Sequence, residues 1–317
     1  MRIAILGASS QIAKDLVLSF SEDQSDDLVL FGRQPEVLAE WLKQADLADR
    51  YEVEYYENIN SQQPFDALIN FVGVGDPARA IEMGSSILDI TAKFDDIALH
   101  YLQNHPDCRY LFLSSGAVYD SDFEAPADGN TPTRIPMNEL QAQDWYASSK
   151  LHAEKRHRAL QEFPIVDIRV FNYFSHTQDM SARFLITDIA RAISEKNLFS
   201  TSADKLVRDF LHPSDFAQLV YRILASPKTN CAIDCYSQAP VDKSNLLKAL
   251  QEAFNLQYQI VAGVFGTNAT GKKPLYYSLN RKAAEFGYQP QYNSLDGVCK
   301  ELDLYLRCAG KVTASDT

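Results

Sequence analysis

Short apolar runs rich in β-forming residues alternate with stretches of helical period through the first half of the chain. Residues 3–6, 28–31, 53–56, 67–72, 110–114 and 165–171 read as strands, and 12–20, 36–47 and 87–103 as the helices between them. Several of these runs are apolar at nearly every position, not at alternate ones, as in strands covered on both faces. The pattern therefore predicts a parallel sheet with helices on each side. A further helix is predicted over 144–162, ahead of Pro164. After about Phe171 the elements shorten, with helices predicted over 183–195, 215–225 and 245–254 and Gly- and Pro-containing turns over 263–274. The expected architecture is α/β, with a doubly wound parallel sheet over 1–171 and a smaller α/β lobe over 172–310. Part of that lobe's chain is expected to return to the sheet, and residues 311–317 to form a frayed tail.

Composition adds limits. With 46% hydrophobic and 23% charged residues, the 317-residue chain has the make-up of an ordinary globular protein. Its net charge of −12 repels polyanions, so neither nucleic acid nor an anionic membrane is an expected partner. An anionic ligand would need cations placed locally. The sequence opens directly into a strand without a secretory pattern, and no apolar run reaches membrane-spanning length. Its five cysteines include no C-x-x-C pair, which suits reduced thiols and a cytoplasmic location. On that expectation the sequon Asn268-Ala269-Thr270 is an unmodified surface loop.

The first strand runs into Gly7-Ala8-Ser9-Ser10-Gln11-Ile12-Ala13, a G-x-x-G-x-x-G turn with Ser and Ala at the second and third glycine positions. Gly7 would make the tight turn, and backbone amides of Ser9, Ser10, Gln11 and Ile12 at the helix start would face a pyrophosphate. The turn is therefore read as an expected phosphate turn of a Rossmann dinucleotide fold, on its place directly after the first strand. At the end of the second strand, where an acid usually holds the NAD ribose, stands Arg33 after Phe31-Gly32. An arginine there can pair with a 2′-phosphate, so NADP(H) is favoured, with NAD the alternative.

Tyr146-Ala147-Ser148-Ser149-Lys150 sets a phenol and an ammonium on one helix face, where a cation would bring the phenol towards working pH. Upstream, Ser114-Ser115-Gly116-Ala117-Val118-Tyr119 puts hydroxyls at a strand end that could hold a substrate oxygen. Here the chain resembles the extended short-chain dehydrogenase/reductase family, the branch of nucleotide-sugar epimerases, dehydratases and reductases. The resemblance runs through the glycine turn, Asn58-Ile59, Phe71-Val72-Gly73, Ser115, Tyr146 with Lys150, Arg169-Val170-Phe171-Asn172, Arg208-Asp209-Phe210-Leu211-His212-Pro213-Ser214-Asp215, and Gly287-Tyr288-Gln289-Pro290.

By that resemblance Ser115, Tyr146 and Lys150 form the catalytic triad, Tyr146 carrying the proton and Lys150 also holding the nicotinamide ribose. It further implies that Asn58 and Ile59 contact the adenine, that Phe71, Val72, Gly73 and Phe171 line the cofactor, and that Asn172 and Arg208 hold the substrate's nucleotide diphosphate. A homodimer is implied as well. The chain departs from the family at its second and third turn glycines, at Asn58 where Asp is usual, and at Phe71-Val72-Gly73. Where 4,6-dehydratases carry Asp-Glu after the hydroxyl this chain has Gly116-Ala117, so dehydration is not expected.

The expected function is reduction of a 4-keto-6-deoxy nucleotide sugar by NADPH. A 4-epimerase with retained NAD is the alternative, and a non-catalytic NADP sensor a lesser one. The serine hydrolase reading of Ser114 and Ser115 fails for want of a G-x-S-x-G elbow. The stretch 266–273 imitates a phosphate loop but ends in Lys273 where a hydroxyl should bind magnesium. No metal-ligand spacing is visible.

Overall fold

The computed structural model describes residues 1–315 apart from 23–24, 75–76, 120–121, 136 and 263–272. The sequon and all of the phosphate-loop imitation except Lys273 lie outside the described residues. In chain order the strands are β1 (Arg2–Leu6), β2 (Asp27–Gly32), β3 (Glu52–Tyr55), β4 (Ala67–Asn70), β5 (Arg109–Ser115) and β6 (Ile165–Val170), followed by the short β7 (Asn172–Tyr173), β8 (Phe199–Thr201), β9 (Val207–Arg208) and β10 (Phe210–Leu211). The last four are β11 (Cys231–Asp234), β12 (Val241–Asp242), β13 (Tyr258–Ile260) and β14 (Leu275–Tyr276). The helices are α1 (Gln11–Glu22), α2 (Pro35–Gln44), α3 (Pro77–Met83), α4 (Ser86–Asn104), α5 (Ala142–Ala159), α6 (Leu185–Ser194), α7 (Pro213–Ala225), α8 (Lys243–Phe254) and α9 (Ser294–Ser315).

Seven strands pair in parallel in the order β11-β6-β5-β4-β1-β2-β3. Their side chains alternate between two cores. Ile3, Ile5, Leu28 and Leu30 pack with Leu16, Val17 and Phe20 of α1 and Leu219 and Val220 of α7. Ala4, Leu6, Val29 and Phe31 face the other way, towards Ala98 and Leu102 of α4 and Ala153 of α5. Both faces are covered, which is why the strand runs carry so few polar residues.

Several elements escaped the hydrophobic pattern, among them α3, β11 and α9. Cys231-Ala232-Ile233-Asp234 is too short and too polar at its end to read as a strand, yet β11 pairs with β6 along Cys231↔Val166 to Asp234↔Arg169. Residues expected to begin a frayed tail continue α9 to Ser315. In the lobe, Ile186 and Ile189 of α6, Leu246 and Leu250 of α8 and Val298 and Leu302 of α9 enclose a third core. Among the described residues no helix is long and apolar enough to cross a membrane.

The second core encloses charge. His157 on α5 is fully buried, with Nδ1 2.6 Å from Asp167 Oδ1 on β6 and Nε2 2.8 Å from Asp95 Oδ1 on α4. Arg156 and Arg158 pair with the outer oxygens of Asp95 and Asp167 at 3.1 and 2.8 Å, and Tyr110 donates to Asp95 at 2.9 Å. Asn70 then donates to Tyr110 and accepts from the Val72 amide, both at 2.9 Å, so the network reaches the carboxyl end of β4. Burial opposes charge on the imidazole, but Asp167 and Asp95 outweigh it and lift the pKa to about 9.

A pKa raised above the unfolded value of about 6.5 contributes stability in full below that value, and the contribution is lost as pH rises through about 9. His157→Gln removes the cation shared by the two buried carboxylates, leaving only Arg156 and Arg158 on their outer oxygens, and is expected to cost about 3–5 kcal/mol near pH 6. Denaturant titrations of both proteins across this range should show the gap narrowing at alkaline pH; a gap independent of pH would contradict the assignment.

Candidate active site

Strand register brings the predicted turns to one edge of the sheet. Leu6 pairs with both Phe31 and Asn70, Asn70 with Phe112, and Ser115 with Val170. Gly7, Gly32, Phe71 and the end of β5 therefore sit along the carboxyl edge, where doubly wound sheets bind ligands.

Gly7 holds φ +75°, and a Cβ there would lie 2.8 Å from the Val72 nitrogen, so the turn demands glycine on both counts. Its amide donates to Phe31 O and Tyr56 OH, each at 3.1 Å. Helix α1 begins at Gln11; the Ser10 amide, expected to face a pyrophosphate, is instead taken by Gly7 O at 2.9 Å, so the donor set for an anion starts with the Gln11 and Ile12 amides of the first turn. Where the family pattern has a second glycine, the Ser10 hydroxyl accepts from the Ala13 amide at 3.4 Å, and Ala13 is fully buried. Ser9 is exposed, and Ile12 is half-buried against the first core. Gly73 also marks a close approach, since a Cβ there would lie 3.0 Å from Lys150 Nζ. These residues fit a dinucleotide: amides at the helix start for a pyrophosphate, and glycines where a side chain would close the cleft.

Arg33 is exposed just beyond β2. Asn58 and Ile59 lie in a 3-10 turn over Tyr56–Ser61, where Ile59 is buried and Asn58 donates to Glu54 at 2.7 Å. Phe71 is buried against Phe216 of α7. The Gln11 side chain bonds Thr177 and Asp15, and Tyr173 donates to Asp15 at 2.7 Å. Helix α1 is thereby tied to the chain that follows β7. Burial raises the Asp15 pKa, against the hydrogen bonds from Thr177, Tyr173, Ser175 and Gln11.

Ser115 ends β5 and caps the short turn Gly116–Val118 by accepting from the Ala117 amide at 3.2 Å. Tyr146 and Lys150 lie one turn apart on α5, whose start is closed by a reciprocal Gln141–Asp144 capping box. Burial raises the Tyr146 pKa, and a hydrogen bond with Ser115 pulls it down. Lys150 donates to Leu113 O at 2.8 Å and reaches Val72 O at 3.5 Å, with its ammonium 4.4 Å from the Phe112 ring centroid. Desolvation lowers its pKa to about 8, against the pull of Asp95, Asp167 and Glu154. The group that lowers the phenol in this geometry is thus Ser115, while the lysine charge is held by backbone carbonyls.

Further down the same helix, Glu154 accepts from Ser114 at 2.6 Å and from Arg169 Nε at 2.9 Å. Arg169 Nη1 donates to Tyr119 at 2.7 Å, and Tyr119 donates to Asp234 at 2.9 Å. Ser114 is therefore occupied by a carboxylate and Ser115 by amide and phenol contacts, not by a histidine. Gly116 is packed against Phe171 so closely that a Cβ would lie 2.4 Å from its ring.

On the lobe side, β7 and β10 pair Asn172 with Phe210, and Asn172 Nδ2 donates to Asp209 O at 3.1 Å. Arg208 Nη1 bonds Lys273 O at 2.5 Å and Val207 O at 2.9 Å, and burial lowers its pKa to about 10. Among the described residues Arg208 forms no salt bridge with the nearby Asp209 or Asp215. Asp209 accepts from Ser237 and Ser294, and Asp215 from the Gln291 and Tyr292 amides. One residue at the centre escaped sequence reasoning: Tyr276, whose hydroxyl is 3.2 Å from Ser115 Oγ. It follows a turn-like stretch and lies on a two-residue strand, so no periodicity marks it.

The family model for the NAD dependent epimerase/dehydratase family matches residues 3–234. A search of curated protein sequences finds no match. Among solved structures, UDP-glucuronic acid 4-epimerase from Bacillus cereus, in complex with UDP-glucuronic acid and NAD, aligns with TM-score 0.78 at 16% identity over 97% of this chain and 99% of that one. UDP-glucose 4-epimerase from Bifidobacterium longum, with NAD+ and UDP, gives 0.77 at 18% identity over 96% and 97%. dTDP-glucose 4,6-dehydratase from Bacillus anthracis, with NAD, gives 0.75 at 15% over 97% of each. At such identities the structural likeness speaks for the fold, while the family model spans most of the sheet and the strand ends that carry Gly7, Ser115, Tyr146 and Lys150. The chain belongs to the NAD dependent epimerase/dehydratase family.

Proposed function

We propose that this protein is an NADPH-dependent reductase of a keto nucleotide sugar of the 4-keto-6-deoxy class. The observation that carries the reading is the placement of α5 against the end of β5, where Ser115 caps its turn: Lys150 donates to Leu113 O at 2.8 Å, with Tyr146 one turn earlier on the same helix. NADPH, when bound, supplies the hydride. Ser115 and Tyr146 hold the carbonyl oxygen, and the Tyr146 hydroxyl gives it a proton as the carbon becomes an alcohol carbon. Lys150 anchors the cofactor ribose, and its positive charge favours the phenolate left on Tyr146 when the proton has gone. The exposed Arg33 at the end of β2 takes the 2′-phosphate. Arg208 and Asn172 face the substrate diphosphate and supply the local cation that an acidic protein needs.

A second reading, a nucleotide-sugar 4-epimerase that keeps its NAD, is favoured by the tie from Gln11 and Asp15 to Thr177 and Tyr173. That tie joins the helix of the phosphate turn to the lobe and would slow release of a dinucleotide between them. One assay separates the readings. The reductase consumes NADPH only in the presence of a keto-sugar nucleotide, whereas the epimerase interconverts nucleotide hexoses without net cofactor turnover.

Tyr146→Phe is expected to lower turnover by about a hundred- to ten-thousandfold while dinucleotide binding persists. Undiminished turnover would remove the tyrosine from the mechanism. Arg33→Ala is expected to raise the KM for NADPH by about tenfold or more, the loss of one charge-assisted pair, and to change that for NADH by less than about twofold. Equal NADPH constants in variant and wild type would overturn the cofactor assignment.

A further inference from the structure

We propose that Tyr276 is a positioning residue that orients the Ser115 hydroxyl towards Tyr146, so that the lobe completes the proton-transfer site. The inference rests on Tyr146 as the proton carrier. A serine oxygen has two lone pairs and one proton. At Ser115 the Ala117 amide donates to Oγ at 3.2 Å, and the Tyr276 hydroxyl lies 3.2 Å from the same atom. Either hydroxyl could donate in this pair; the phenol is the stronger acid of the two, so the Tyr276 proton is assigned to Ser115. With both lone pairs engaged, the Ser115 proton is left for the Tyr146 oxygen or for a substrate oxygen beside it. Donation from Tyr276 polarises the serine and strengthens that second bond.

The ring of Tyr276 has little freedom to leave. It is 8% exposed, meets Phe123 edge-on at 4.8 Å and Phe171 at 5.1 Å, and carries the Lys273 ammonium 4.7 Å above its centroid. Burial drives its pKa well above the ordinary phenol value, which keeps it a neutral donor and leaves ionisation to Tyr146. The strand that carries it, β14, pairs with β9 through Tyr276↔Arg208, so this phenol and the candidate diphosphate arginine are neighbours in one small sheet.

The test is an alkaline ultraviolet difference titration of Tyr146, read as each protein minus its Tyr146→Phe counterpart, and it needs no substrate. Tyr276→Phe, which keeps the ring, is expected to raise the Tyr146 titration by about half a unit or more, roughly threefold in phenolate fraction. Ser115→Ala should raise it at least as far, and adding Tyr276→Phe to Ser115→Ala should change nothing further. Tyr276→His, with a ring N–H donor, should recover part of the shift. Melting temperatures establish that each variant is folded, and Tyr276→Met reports the same loss of the donor should the phenylalanine variant not fold. An unmoved titration in the donor-less variant, or an equal shift without Ser115, overturns the proposal. If instead Tyr146→Phe retains full turnover, the proton-carrier reading falls and the titration result stands apart from it.

Discussion

A buried ammonium must be solvated by the protein itself, and the site is arranged around how that is done for Lys150. Its donors go to Leu113 O near the end of β5 and Val72 O beyond β4, and its charge rests on the Phe112 ring. Meeting those acceptors pins the first turns of α5 against two strand ends. Tyr146, one turn earlier on the same face, is then delivered to Ser115. The glycine at position 73 is part of the same constraint, because a side chain there would press on the ammonium. The geometry of the candidate site and the satisfaction of a buried charge are one problem here, with one solution.

Behind the site lie two polar layers that keep α5 in register. Nearer the edge, Glu154, Arg169, Tyr119 and Asp234 link α5 to β6 and to β11, the strand supplied from the C-terminal half. Deeper, His157 sits between Asp95 and Asp167, and its network returns through Tyr110 and Asn70 to the Val72 amide. Such networks are costly unless every member is paired. Their return here is directional precision along a helix that must present Tyr146 and Lys150 on one line, and both layers end on strands that carry the cleft.

The lobe contributes more than a substrate surface. Through Thr177 and Tyr173 it holds the start of α1, and through Tyr276 it reaches Ser115. Residues separated by more than a hundred positions thus meet at the candidate site, where Phe123, Phe171 and Tyr276 form one aromatic group with Phe171 against Gly116.

Read alone, the chain determined its class and the backbone of its site. Uninterrupted apolar runs spaced by helical stretches specify strands covered on both faces, and short-range motifs such as Gly7 to Ala13 and Tyr146 to Lys150 carry their geometry within one turn of structure. What it left open depends on partners distant in sequence. Cys231–Asp234 becomes a strand only because β6 offers an edge. Arg208 does not pair with the adjacent Asp209, because Ser237 and Ser294 claim that carboxylate. Lys150 turns to carbonyls instead of to the phenol four residues away. Tyr276 has no local pattern at all and acquires its place from β9 and Ser115. Local periodicity records which face of an element is buried; only the folded chain decides which buried polar groups meet, because each has several candidate partners and tertiary packing admits one.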